Sequence, residues 1–224
     1  MAIIKGNASQ TSVNRVGEGV ETYMRMLRDG TVGVADLIAL WSLEGRVFTV
    51  SAGAATTPAT FQDSSALLTT EFDLHISVPS SVVIIPLSWE ICYEAFGTTA
   101  IAEMCLQYGT GSVVGTATSD IPSSSNANAG IASACTCNVA SATGTALTTV
   151  VEEIWHDMLQ EVATRASAAS TAAYVPEKHI YNAMDTGILH VVGPSQQLVG
   201  FVVSQAPTGF YQFKYAELPV GGIE

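Results

Sequence analysis

The chain has 224 residues, a formal net charge of −12, and charged side chains at only 12% of positions, about half the usual share for a globular protein. That length suits one large domain with an ordered extension and leaves little room for two. The acidity excludes a protein that coats nucleic acid with its bulk surface, and no apolar run approaches the roughly 18 residues a membrane-spanning helix needs.

Residues 1 to about 19 are polar and punctuated by Gly6, Gly17 and Gly19, and read as an extended arm. Met1-Ala-Ile-Ile-Lys5 runs directly into Gly6-Asn-Ala-Ser-Gln10 without the apolar stretch of a secretory signal. The expectation is a protein made and used without export, in which the Asn7-Ala8-Ser9 triplet is accidental. From Val20 the spacing of Val20, Tyr23, Met24 and Leu27 predicts a short helix ending at Asp29-Gly30. A second is predicted over Val34–Leu43, with Leu37, Leu40 and Trp41 on one side and Gly45 just past its end. Five of the eight cations, Lys5, Arg15, Arg25, Arg28 and Arg46, fall in the first 46 residues. Residues 1–45 therefore read as an arm, with Arg15, Arg25 and Arg28 as candidates for an interface with a neighbour's acidic face.

The 118 residues between Arg46 and Arg165 contain no lysine or arginine but eleven carboxylates. With a mean hydropathy of +0.33, such a body stays soluble either behind a neutral Ser/Thr surface or by burying its flanks against copies of itself. Strands are predicted over Val47–Ala52, Leu67–Val78, Val82–Phe96, Ile101–Tyr108 and about Ile131–Ala140, separated by prolines and glycines at sandwich spacing. Residues 46–224 thus read as one β-sandwich domain. Within Glu71–Ile76 the alternation places Phe72, Leu74 and Ile76 inward and Glu71, Asp73 and His75 outward. These three are the densest ligand-like set: either a solvated face, the more frequent outcome for such a row, or a candidate part of a calcium or zinc site between subunits. Three such positions span about 13 Å, so an ion there needs ligands from another strand.

Thr116–Ser133 is small, uncharged except for Asp120, and reads as a long loop. Val151, Ile154, Trp155, Met158, Leu159 and Val162 then repeat at helical spacing behind a Thr149-x-x-Glu152 capping box, with Glu152, Glu153, Asp157 and Glu161 on the wet face. The β-branched start at Leu147–Val151 keeps a strand open for its first half. Closing strands are predicted over Gly187–Gly193, Gln197–Ser204 and Phe210–Leu218, with a turn at Ala206–Gly209.

The chemistry-bearing patterns are sparse. Neither a nucleophile elbow, a Walker A loop, an H-E-x-x-H pair nor an EF-hand loop occurs. Gly109-Thr-Gly-Ser-Val-Val-Gly115 is one residue too long for a dinucleotide fingerprint. His75, His156, His179 and His190 show no chelating spacing, and Cys92, Cys105, Cys135 and Cys137 read as free, buried thiols. Glu90 and Glu94 share a strand face about 13 Å apart, beyond the spacing of paired glycosidase acids. The three tryptophans, Trp41, Trp89 and Trp155, read as core anchors.

Leu43-Glu-Gly-Arg-Val-Phe48, Val78-Pro-Ser-Ser-Val-Val-Ile-Ile-Pro86 and Ala206-Pro-Thr-Gly-Phe-Tyr211 look like segments of phage structural proteins. Together with the plan of arm, about eight β segments, long loops and a paired C-terminal strand, the chain resembles the single jelly-roll capsid and virion proteins of small viruses and phages over roughly residues 46–219. The resemblance implies a mostly β, antiparallel jelly-roll-like sandwich with one or two short helices. It implies a non-enzymatic subunit that self-assembles in the host cytoplasm into a virion with other virion proteins. Calcium at subunit interfaces would offset the carboxylates. The arm is less basic than genome-binding arms, so direct nucleic-acid binding is not expected of it. Two alternatives are a trimeric spike or decoration module binding a receptor or glycan, and a β-sandwich glycoside hydrolase using Glu90 or Glu94.

Overall fold

A computed structural model of the chain describes residues 36–54, 56–62, 66–95, 101–160, 178–203 and 206–220. The predicted helix from Val20, and Arg15, Arg25 and Arg28, lie outside them. Twelve strands and two short helices follow in order: α1 (Leu37–Leu43), β1 (Val47–Ala52), β2 (Ala59–Thr60), β3 (Glu71–Ser77), β4 (Val82–Ala95), β5 (Ile101–Thr110), β6 (Val113–Asp120), β7 (Ser123–Ser124), β8 (Thr136–Thr145), β9 (Thr149–Gln160), β10 (Lys178–Asn182), α2 (Ala183–Thr186), β11 (Gln197–Val203) and β12 (Thr208–Pro219).

They form two antiparallel sheets. The first runs β10-β4-β12-β1-β7, with β2 also on β12, and the second β6-β8-β3-β11-β5-β9. Eight of these strands pair first with last: β1 with β12, β3 with β11, β4 with β10 and β5 with β9. A long hairpin folded this way and rolled over two sheets is a jelly roll. Of the remaining four strands, β2 lies on β12, and β6 to β8 are an excursion between β5 and β9 that adds β7 beside β1 and β8 beside β3. That excursion widens one edge of both sheets. At the opposite edge, β9 and β10 are the outermost strands.

Apolar residues at alternate positions explain the central layer. Phe48 and Val50 of β1, Leu74 and Ile76 of β3, Trp89 and Ile91 of β4, Met104 and Leu106 of β5 and Phe213 and Tyr215 of β12 all point between the sheets. Both outer faces are partly covered as well. On the first sheet, Ile38 and Trp41 of α1 pack against Val47, Val83, Ile85, Leu87, Ala216 and Leu218. Gly45 ends that helix with φ +74°, as its sequence position predicts. On the second sheet, Phe72, Cys105, Ala142, Val199 and Phe201 form an outer apolar layer.

Several expectations are corrected here. Residues 149–160 are strand β9, not a helix, because the segment pairs with β5 along its length. The Thr116–Ser133 region is not one loop: its start completes β6 and Ser123–Ser124 pairs with β1. Gly187–Gly193 contributes one bridge, Val192 to Ile84, while Lys178–Asn182 is the strand that pairs with β4. The turn at Ala206–Gly209 does not close a hairpin, since β11 and β12 lie in different sheets. A register shift between Phe72 and Leu74 turns Phe72 to the outer face, where it meets the His75 ring at 5.4 Å. Asp73 and His75 are buried rather than solvent-facing: the Asp73 carboxylate is taken up by the Val202 N–H of β11, and the His75 ring lies against Phe72 in the outer apolar layer.

Candidate functional site

The Glu71, Asp73 and His75 set is dispersed by this burial. Asp73 Oδ2 accepts a hydrogen bond from the Val202 N–H at 2.8 Å, and its carbonyl accepts one from the Tyr211 hydroxyl. His75 has neither ring nitrogen partnered, and burial lowers its pKa to about 4. One Glu71 oxygen is likewise buried without a partner. Among the described residues, three-donor convergence occurs elsewhere, at Cys105, Glu153 and His156.

That convergence is made by β9. In an unbroken strand, residues three apart face opposite sides. Opposite β5, Leu106 pairs with Trp155 but Gln107 pairs with Glu153, so Ile154 is an extra residue. This bulge returns Glu153 to the face that carries His156, Cys105, Glu103 and Gln107. The His156 ring lies between two carboxylates, Nδ1 at 3.0 Å from Glu153 and Nε2 at 2.9 Å from Glu103. Glu153 accepts further hydrogen bonds from Gln107 Nε2 at 2.8 Å and the Cys105 thiol at 3.3 Å. Burial opposes charge on His156, but Glu153 and Glu103 outweigh it and raise the pKa. Burial, then Glu153, pushes the Cys105 thiol up, which keeps it protonated and unreactive when no cation is present.

Two more histidines join carboxylates of the same strand. His179 of β10 meets Asp157 at 2.8 Å, and His190 meets Glu152 at 3.1 Å, where Tyr108 also donates. Both imidazoles are largely buried and both carboxylates are half-exposed. Since β9 and β10 belong to different sheets, the His179–Asp157 pair ties the sandwich shut along this edge. Searches of family models, curated proteins and solved structures find no match to the chain.

The edge also carries about half of the large exposed apolar side chains among the described residues. Ile180, Met184, Ile188, Leu189 and Val191 are between 39% and 60% exposed, and Val150, Val151 and Met158 of β9 join them. Glu90 and Glu94 lie on the first sheet, where Lys178 reaches Glu90 at 2.9 Å. That hydrogen bond, with the charges of Lys178 and Lys214, holds the Glu90 carboxyl below the ordinary range and favours its ionised form. Trp89 is fully buried, and Trp155 and Trp41 pack on the margins of two apolar layers. The four cysteines are free; Cys92 is half-buried and the others are buried.

Sequence reasoning missed the Cys105 cluster because its donors come from strands some fifty positions apart. The available signal was the density of acids and histidine in Glu152–Asp157, which helical spacing assigned to a wet face.

Proposed function

We propose that the chain is a virion structural protein whose copies assemble edge to edge into a capsid or capsid-associated oligomer. The observation that carries this reading is the β9/β10 edge. Five large apolar side chains stand exposed within residues 180–191, beside an edge strand whose backbone groups have no further strand to pair with among the described residues. Several large apolar side chains exposed within one short segment mark a protein contact, and native sheets seldom leave such an edge bare.

Two further features support copies of the same chain as the covering partner. The described body carries three cations, Arg46, Lys178 and Lys214, against thirteen carboxylates, so a neutral or apolar contact costs little desolvation. Helix α1 turns Ile38 and Trp41 to the sheet while Leu37, Leu40 and Leu43 are exposed. A helix apolar on all sides has a second surface to bury. The glycan-binding and hydrolase alternatives gain no comparable support: the five described tyrosines are buried, and Glu90 is ion-paired.

Electron microscopy and light scattering of the purified protein test the proposal. Closed shells, pentamers or hexamers are the expected result, and I188E combined with M184E, placed on exposed positions, is expected to reduce them to folded monomer. A wild-type chain that stays monomeric at high concentration overturns the reading.

A further inference from the structure

The outer face of β5 and β9 holds a thiol, an imidazole and a carboxylate whose ligand atoms all lie within 4.8 Å of one another. We propose that Cys105 Sγ, Glu153 Oε and His156 Nδ1 bind one divalent transition metal ion, zinc in the first instance, with water in the fourth position. This goes beyond the assembly reading and does not depend on it.

The spacing is close to that of a metal site. Ligands at 2.0–2.3 Å around a tetrahedral zinc lie about 3.3–3.8 Å from each other; here one donor atom from each residue lies within 4.8 Å of the others, with Cys105 Sγ 3.3 Å from Glu153 Oε2 and His156 Nδ1 3.0 Å from Glu153 Oε1. Glu103 supplies the outer partner. Its contact with His156 Nε2 at 2.9 Å holds the ring proton on that nitrogen and leaves the Nδ1 lone pair for a metal, the arrangement in which a carboxylate orients a ligating histidine. The Ile154 bulge then places Glu153 beside that lone pair. Cys105 forms the buried floor, whereas Glu153 and His156 are 42% and 39% exposed, so the open position faces solvent.

Charge argues the same way. Glu103, Glu152 and Glu153 sit on neighbouring strands within the stretch that has no lysine or arginine. When a metal binds, the Cys105 thiol gives up its proton to solvent and the sulfur lone pair bonds the ion. Thiolate and Glu153 then balance the two positive charges with a neutral imidazole. Sulfur and nitrogen donors select zinc or cobalt over calcium, which takes six to eight oxygens.

The test is a cobalt(II) titration of the chelator-treated, dialysed full chain. One equivalent is expected to give a near-ultraviolet sulfur-to-cobalt charge-transfer band with tetrahedral visible bands, discharged by zinc but not by excess calcium. C105A is expected to remove the near-ultraviolet band although Cys92, Cys135 and Cys137 remain. E103Q should keep the band and weaken affinity about tenfold or more. Because Cys105 is buried, E153Q is the companion variant: its side chain is exposed, its circular dichroism should match wild type, and its affinity should fall at least tenfold. No band at millimolar cobalt, displacement by calcium, or equal affinity in wild type and E153Q overturns the proposal.

Discussion

Replacing Trp89 with alanine is expected to cost about 3–5 kcal/mol, which for a chain of this size lowers Tm by roughly 6–20 °C. Trp89 lies at 0% exposure in the middle of β4, the strand that joins β12 to β10. Its indole meets Trp155 and Tyr211 edge-on, each at 5.8 Å, and so bridges both sheets of the sandwich. The indole nitrogen has no hydrogen-bond partner, so the loss is one of packing and cavity formation. Gly200 on β11 shows how closely the ring is held: a Cβ there would come within 2.6 Å of Trp89 Cη2 and 3.0 Å of Cζ3. G200A is accordingly expected to cost about 1–3 kcal/mol by overpacking. In a W89F background that cost should shrink, because the smaller ring withdraws from the new methyl, and the double-mutant cycle should show coupling. Urea unfolding at one fixed protein concentration measures all of these, with the midpoint falling and the slope unchanged. A W89A loss below 1 kcal/mol, or strict additivity with G200A, contradicts this account of the core.

The roll of the sandwich was legible from regular strands and their punctuation. The strand predicted over Val82–Phe96, with a proline before it and aromatic-apolar alternation along it, is β4 (Val82–Ala95) over every described residue, and Phe210–Leu218 lies inside β12. What the sequence hides is where strands are irregular. Opposite β5, both Val151 and Ile154 are passed over in the register. Two extra residues within one strand break the period of two and push the apolar spacing of Val151, Ile154, Trp155 and Met158 toward that of a helix. At β3 the irregularity comes from its partner: between Phe72 and Leu74 one β3 residue stands opposite two of β8, and Phe72 lies on the outer face. Burial of Asp73 and His75 was illegible for another reason: it depends on contacts made far along the chain, with Val202 of β11 taking up the Asp73 carboxylate and Val199 and Asn138 flanking His75 in the register. The Cys105 cluster needed both the bulge and the β5–β9 register, neither of which local sequence specifies.

Acid is expected to destabilise the protein through His75 before its carboxylates titrate. Buried at 3% exposure with both nitrogens unpartnered, His75 has its pKa lowered from 6.5 to about 4 by burial. Its neighbours across the register are Val199 and Asn138, and Ser77 and Thr136 line the same groove, so no carboxylate among the described residues lining it rewards an imidazolium. The unfolded chain binds the proton below pH 6.5 and the folded chain does not until about pH 4, so stability present above pH 6.5 is lost as pH falls through that window. The difference of 2.5 units corresponds to about 3 kcal/mol. His156 works in the opposite direction, since its raised pKa adds stability at low pH that fades as pH rises through the folded value; its exposure keeps that contribution small. H75L, similar in volume and apolar like the adjacent Phe72, should therefore flatten the fall in unfolding free energy between pH 6.5 and 4 while changing little at pH 8. A variant whose pH profile runs parallel to wild type across that range would show that His75 is not the group resisting the proton.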